Sequence, residues 1–275
     1  MTHVWIDGEL LDAEKARVSP FDHGLLTGDG VFETLRVYRG QPFAARRHLE
    51  RLASSAAAMG LPCPPADVLR LAMAEVVDAD GLESARLRIT VTGGPAPLGG
   101  GRGDAGPTVI VAGGALPDWP PATAVVTVPW PRNERSALVG VKTISYGENV
   151  VALAYARERG AGEAIFANLA GNLCEGTGTN VFVAVGGRLV TPPLSSGCLA
   201  GVTRDLLLEL LDVEEADVPL SALASAGEAF LSSSTREVQP ISAVDGQVLP
   251  TSADGGFAGT ARIRFRDLVQ RDIDP

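Results

Sequence analysis

The chain has 275 residues, a formal net charge of −10, and 45% hydrophobic against 20% charged residues. That balance predicts a globular protein with a sizeable core, as one large domain or two modest ones. It argues against non-specific nucleic-acid binding, because no basic block outweighs the acidic background. No apolar run approaches the roughly 18 residues a membrane helix needs. The opening Met-Thr-His-Val-Trp-Ile lacks the pattern of a signal peptide. Cys63, Cys174 and Cys198 are odd in number and widely spaced, and His3, His23 and His48 show no metal-ligand spacing. A cytoplasmic protein with no disulfide framework and no metal is therefore expected.

In chain order, Val4-Trp-Ile-Asp-Gly-Glu-Leu-Leu11 reads as two short strands about an Asp-Gly turn. Gly30–Tyr38 alternates as a strand and meets a turn at Arg39-Gly40. Leu49, Leu52, Ala56 and Met59 fall near helical spacing, which predicts a helix over Ala45–Met59 closed by Gly60. A second helix is expected over Ala66–Val77, then strands over Arg86–Thr92 and Thr108–Ala112. The Gly/Pro-rich stretch Gly93–Gly106 between those strands predicts a flexible loop.

Composition shifts at Gly113–Pro121. The expected division is a small N-terminal domain over 1–115, a linker over 116–122 and a larger C-terminal domain over 123–275. In the latter, Ala124–Val128, Glu163–Ala167 and Val181–Val185 read as strands, with helices over Tyr146–Arg159 and Gly201–Leu211. Interspersed strands and helices give a mixed α/β class.

Of the 23 basic residues only Lys15 and Lys142 are lysines. Lys15 lies in a polar stretch and reads as a surface charge. Lys142 lies among apolar and small residues in Leu138-Val-Gly-Val-Lys-Thr-Ile-Ser145. Partial withdrawal from water there would favour the neutral amine, which attacks carbonyls as a guanidinium does not. The same segment equally fits a strand-edge lysine whose head reaches solvent. Glu175 is a carboxylate within the small-residue run Cys174–Asn180, otherwise readable as a polar hairpin loop. Gly201-Val-Thr203 opens a helix with free N–H groups and a hydroxyl, suited to an anion or to a plain cap. Ser232-Ser-Ser-Thr-Arg236 clusters hydroxyls where a strand runs out, and Arg51 lies on the first amphipathic helix, where a surface role is the default.

Taken in order, six regions of the chain resemble the class IV aminotransferase family, the fold type IV pyridoxal-phosphate enzymes. They are Phe21-Asp-His-Gly24 with Gly28-Asp-Gly-Val-Phe-Glu33, His48-Leu-Glu-Arg-Leu52, Val141-Lys142, Cys174–Phe182, Leu199–Arg204 and Ser233–Pro240. The family includes D-amino acid transaminases, branched-chain transaminases and aminodeoxychorismate lyases. The resemblance implies two α/β domains with pyridoxal 5′-phosphate at their interface, in a homodimer. Lys142 looks like the Schiff-base lysine and the shuttle for the substrate Cα proton. Glu175 looks like the partner of the ring nitrogen. Arg51, Val202, Thr203 and Ser234 or Thr235 look like the phosphate cradle. Tyr146 is a candidate donor to the ring hydroxyl, one position from the family's tyrosine, and Asn180 is expected to shape the loop after Glu175.

For the substrate, D-amino acid members typically carry a carboxylate-binding arginine where this chain reads Thr90-Val-Thr-Gly-Gly94, and tyrosine where Phe32 stands. Arg36, Arg102 and Arg135 are candidate replacements, a solvated surface role being the alternative for each. The expected activity is amino transfer between an amino acid and a 2-keto acid, of the D-amino acid transaminase kind. The main alternative is release of pyruvate and 4-aminobenzoate from 4-amino-4-deoxychorismate. Branched-chain transamination and a catalytically idle binding protein are the remaining readings. Expected partners are these small molecules, with no nucleic acid and no membrane.

Overall fold

Strict alternation builds the first sheet. In the computed structural model, which describes residues 2–250 and 255–275, Ser84–Thr92 (β5) alternates exposed and buried residues along most of its length. It lies between Gly30–Tyr38 (β3) and Val109–Gly114 (β6) in a sheet ordered β2-β1-β6-β5-β3-β4. The other members are β1 (His3–Ile6), β2 (Glu9–Asp12) and β4 (Gln41–Pro42), and every pairing is antiparallel. Phe32 pairs with Thr90 and Glu33 with Ile89. Residues two apart share a face, so Val31, Leu35, Val37, Leu87, Ile89 and Val91 form one apolar surface. Helices α2 (Ala45–Ala58) and α3 (Ala66–Asp80) cover it with Leu49, Leu52, Leu69 and Met73. Phe32, Thr34, Arg36, Arg86, Arg88 and Thr90 line the opposite face. A short helix α1 (His23–Thr27), capped by the Asp22 carboxylate on Gly24 N at 2.8 Å, precedes β3.

The chain forms two compact units, and the division is not contiguous. Residues up to Pro117 are joined in the first unit by Val141–Tyr146 and Asp272–Pro275; the second holds Asp118–Gly140 and Gly147–Arg271. The expected contiguous division at 116–122 differs because composition registers a linker but not a return of the chain. Main-chain pairing makes the first return: Phe32 N donates to Lys142 O at 3.0 Å and Ile144 N to Gly30 O at 2.9 Å. At the second, Ala44 N donates to Ile273 O at 2.8 Å.

The second unit contains β7 (Thr123–Thr127), α4 (Gly147–Glu158), β8 (Glu163–Ala167), β9 (Leu173–Gly176), β10 (Asn180–Val185) and β11 (Arg188–Thr191). It continues through α5 (Val202–Leu210), β12 (Glu214–Glu215), β13 (Ala229–Ser233), β14 (Glu237–Val244), β15 (Gln247–Val248) and α6 (Gly256–Arg271). Its sheet runs β12-β11-β10-β13-β14-β7-β8-β9, with β15 on β14. β7 pairs in parallel with β8 and with β14, the former through the α4 crossover. Both faces are apolar, which explains the unbroken hydrophobic strand sequences. Val126, Ala164 and Phe166 pack with Ala152 and Ala156 of α4, while Val125, Ile165, Val181, Leu231 and Ile241 form the other layer. Glu175 sits on strand β9, where the sequence pointed to a loop, because small residues there still pair with β8. Strands β11 and β14 and helix α6 lie outside the expected elements. No helix among the described residues is long and apolar enough to cross a membrane.

Candidate active site

Lys142 is positioned by the edge of β3. Residues 142–144 lie along the start of that strand, and Ser55 Oγ of α2 accepts from Lys142 N at 3.2 Å. The approach requires Gly30, since a Cβ there would lie 2.6 Å from Val91 O and 2.8 Å from Ile144 Cδ1. The half-buried Lys142 places its Nζ 4.4 Å from the centroid of the Phe32 ring. Tyr146 meets the same ring edge-on at 5.1 Å, and the Arg88 guanidinium carbon lies 3.8 Å from its centroid. The first unit thus brings Lys142, Tyr146 and Phe32 together, and adds Arg88.

Arg88 was not among the expected site residues. Its signal was present in the alternation of Arg86-Leu-Arg-Ile-Thr90, which puts Arg86, Arg88 and Thr90 on the face of β5 shared with Phe32 and Arg36. Arg36 lies on that face with its guanidinium carbon 4.7 Å from the Tyr38 ring centroid. Arg102 is elsewhere. Its Nε and Nη2 donate to the two Asp29 oxygens, each at 2.6 Å, and its Nη1 and Nη2 to Gly60 O and Met59 O, each at 2.8 Å. The loop Gly93–Gly106 is irregular, as its composition indicates, but this arginine and a contact of His23 Nε2 with Gly99 O at 3.2 Å fasten it down.

Arg51 lies on the inner face of α2. Its Nε and Nη2 donate to Glu33 Oε1 and Oε2, both at 2.7 Å, and His48 Nδ1 meets Glu33 Oε2 at 2.7 Å. Glu33 has no exposed surface. Burial opposes its ionisation, but the Arg51 guanidinium and His48 outweigh that and hold the carboxyl at about 2. Burial, assisted by the charges of Arg51 and Lys142, draws His48 below its usual value despite Glu33. His48 is therefore the neutral donor of the trio, and Arg51 the cation.

In the second unit, β9 pairs Glu175 with Phe166. Leu199 N donates to Glu175 Oε2 at 2.9 Å, and Arg132 Nε lies 3.2 Å from Oε1 while its guanidinium stacks 4.2 Å over Phe166. Arg132 reaches this carboxylate; Arg135, expected as a candidate substrate contact, is exposed. Asn180 donates through Nδ2 to Leu199 O at 2.8 Å, which steadies the segment leading into α5. Burial raises the thiol pKa values of Cys174 and Cys198, the latter to about 11, so neither is a ready nucleophile.

The family model of amino-transferase class IV matches residues 30–244, most of the chain. The chain is a class IV aminotransferase. The aminotransferase is 32% identical over 279 residues to a putative branched-chain-amino-acid aminotransferase of Methanocaldococcus jannaschii, covering 96% of each chain. It is also 32% identical over 278 residues to a D-alanine aminotransferase of Bacillus licheniformis, covering 97% of this chain and 96% of the relative. The crystal structure of an Escherichia coli branched-chain amino acid aminotransferase superposes with a TM-score of 0.91 at 28% identity, over 97% of this chain and 94% of that one. The fold is thus fold type IV, and the enzyme depends on pyridoxal phosphate.

The residues of this aminotransferase suit that cofactor. Gly201, which caps α5, makes no side-chain cap bond, and Val202 and Thr203 behind it are buried. Among the described residues Ser232 Oγ, on a side chain only 1% exposed, has no hydrogen-bond partner. Ser232 pairs across the sheet with Asn180, and Ser234 and Thr235 follow it in the turn before β14. An unsatisfied buried hydroxyl and a helix start with no side-chain cap are what a phosphate can complete.

Proposed function

We propose that this aminotransferase moves an amino group between a D-amino acid and a 2-keto acid, with Arg88 holding a substrate carboxylate. The observation that carries the reading is the Phe32 ring, which Lys142 Nζ and the Arg88 guanidinium approach within 4.4 and 3.8 Å of the centroid. The Lys142 amine would bond the cofactor aldehyde and then carry the proton at the substrate Cα, a task unsuited to a guanidinium. The planar fork of Arg88 matches a carboxylate, and Arg36 and Arg86 on the same sheet face add positive potential.

Glu175 would pair with the ring nitrogen, already oriented by Leu199 N and Arg132. Val202 and Thr203 N–H groups, with the hydroxyls of Ser234 and Thr235, would hold the phosphate. Arg51, oriented by Glu33, is the guanidinium assigned to that phosphate, and Tyr146 the partner of the ring hydroxyl. Bound by these groups, pyridoxal phosphate supplies the electron sink that makes the substrate Cα acidic. The preference for a D-amino acid draws on the Bacillus licheniformis relative, and L-leucine is the competing donor.

The test is to give the loaded enzyme 2-oxoglutarate with D-alanine or with L-leucine, and separately 4-amino-4-deoxychorismate alone. Glutamate and pyruvate from D-alanine are expected. Turnover of L-leucine alone overturns the D-amino acid assignment, and 4-aminobenzoate with pyruvate from the third arm overturns transfer. Lys142→Ala should remove the covalent visible band and lower activity by roughly 10⁴-fold or more; a retained band would remove Lys142 from its role. Arg88→Gln should raise the KM for 2-oxoglutarate about tenfold or more with a smaller change in kcat. An unchanged KM would place the carboxylate elsewhere.

A further inference from the structure

Glu163 takes part in none of the contacts assigned above, yet it joins two turns that lead into them. It opens β8 with 2% of its side chain exposed. Its Oε1 accepts from Thr177 N at 3.1 Å, from the Thr177 hydroxyl in a short bond, and from Ala164 N at 3.0 Å. Its Oε2 accepts from Thr179 Oγ1 and from Arg236 Nη2, both at 3.4 Å. Thr177 and Thr179 form the turn between β9 and β10, directly after Glu175-Gly176. The packing there is close: a Cβ on Gly176 would lie 3.2 Å from Glu163 Cγ and Cδ. Arg236 follows Ser234 and Thr235 in the turn between β13 and β14.

Arg236 is restrained on every side. Its guanidinium carbon lies 3.8 Å from the Trp119 ring centroid, it donates to Gln239 Oε1, and Nη2 donates to Gly162 O at 3.1 Å. Its own N–H donates to Ser233 Oγ at 3.2 Å, closing the turn that carries Ser234 and Thr235. Gln239 Nε2 in turn donates to Pro120 O at 2.8 Å. A buried carboxylate with this donor set holds its partners in one arrangement, because any shift strands a polar group.

We propose that Glu163 is a positioning residue for phosphate recognition: through Arg236 it fixes the Ser234–Thr235 turn against the β9–β10 turn, without itself meeting the cofactor. The proposal rests on the pyridoxal-phosphate reading of Ser234 and Thr235. Glu163→Gln keeps the volume but presents an amide N–H₂ to groups that are themselves donors, so the junction opens and the Ser234–Thr235 turn shifts, although every side chain assigned to the phosphate is retained. The cost should fall on the phosphate and spare the ring.

The readout is the ratio of dissociation constants for pyridoxal and pyridoxal phosphate, measured on the apoenzyme by absorbance. Glu163→Gln should weaken pyridoxal phosphate about tenfold and pyridoxal less than twofold, so the ratio falls. An equal loss for both ligands overturns the proposal, since a general loosening would not discriminate. Should Glu163→Gln fail to fold, Arg236→Lys keeps the charge, breaks the fork, and is expected to lower the same ratio. A much larger loss in Arg236→Lys than in a folded Glu163→Gln would make Arg236 itself a phosphate ligand and also overturn it. Ser234→Ala with Thr235→Val guards the underlying reading. If that double variant leaves the ratio at the wild-type value, the phosphate assignment fails, whatever Glu163→Gln shows.

Discussion

Each unit of the enzyme buries a carboxylate against an arginine, and the two carboxylates are satisfied in different ways. Glu33 is bound by Arg51 through two contacts of 2.7 Å and by the His48 ring, with no exposed surface. Glu163 is bound mostly by hydroxyls and main-chain N–H groups, and its arginine stands off at 3.4 Å. A buried ion pair contributes little net stability when formed but is costly to break, because the partner is left as an uncompensated charge. A carboxylate held by neutral donors strands dipoles when it is lost, and the damage is chiefly to local geometry. Glu33 should therefore act mainly on stability, and Glu163 mainly on the shape of the turns it joins.

The largest expected effect follows from that contrast. Glu33→Gln leaves Arg51 buried without its counter-charge and should destabilise the fold by about 3–5 kcal/mol, read as a lowered urea midpoint. A loss no greater than that of Glu163→Gln would erase the distinction. The same pair carries an acid signature. Glu33 is held at about 2 against an unperturbed 4.5, so its contribution is complete above pH 4.5 and is lost as pH falls toward 2. That depression corresponds to stability on the order of 3 kcal/mol. His48, also held below its unperturbed 6.5, adds a loss that begins as pH drops under that value. Stability measured from pH 7 to pH 3 should fall throughout for the wild type. The part below pH 4.5 should be reduced in Glu33→Gln; a parallel curve would show that another group carries it.

The sequence made the anchoring chemistry more legible than the scaffolding behind it. Lys142 stood out because lysine is scarce in this chain, and β3, α2, β8 and α5 showed in their periodicity nearly to the residue. Less visible was whatever depends on chain return or on cross-strand partners. Val141–Tyr146 joins the first unit by pairing with residues more than a hundred positions away. Glu175 lies in a run of small residues that suggested a loop, and only its pairing with Phe166 makes it a strand residue. Glu33 sits in a strand otherwise apolar on its inner face, where a lone carboxylate gave no hint that Arg51 and His48 of α2 would meet it. Arg88 was hidden for the opposite reason: alternating arginines read as solvent-facing until the face is seen to include Phe32.

Asp29 and Arg102 separate geometry from burial in this comparison. Their two contacts of 2.6 Å are as short as those of Glu33 with Arg51, but the Arg102 side chain is 32% exposed where Arg51 is 13% exposed. If geometry set the cost of breaking such a pair, Arg102→Ala should match Glu33→Gln. Solvent screening, and the contact of His23 Nδ1 that Asp29 keeps at 3.0 Å, predict instead about 1 kcal/mol or less. The change should still be visible locally. Arg102 also holds Gly60 O and Met59 O, so its loss frees the middle of Gly93–Gly106, and limited proteolysis within that stretch should quicken while the urea midpoint scarcely moves. A rise in substrate KM of tenfold or more with proteolysis unchanged would contradict this, and would return Arg102 from a loop fastener to a substrate contact.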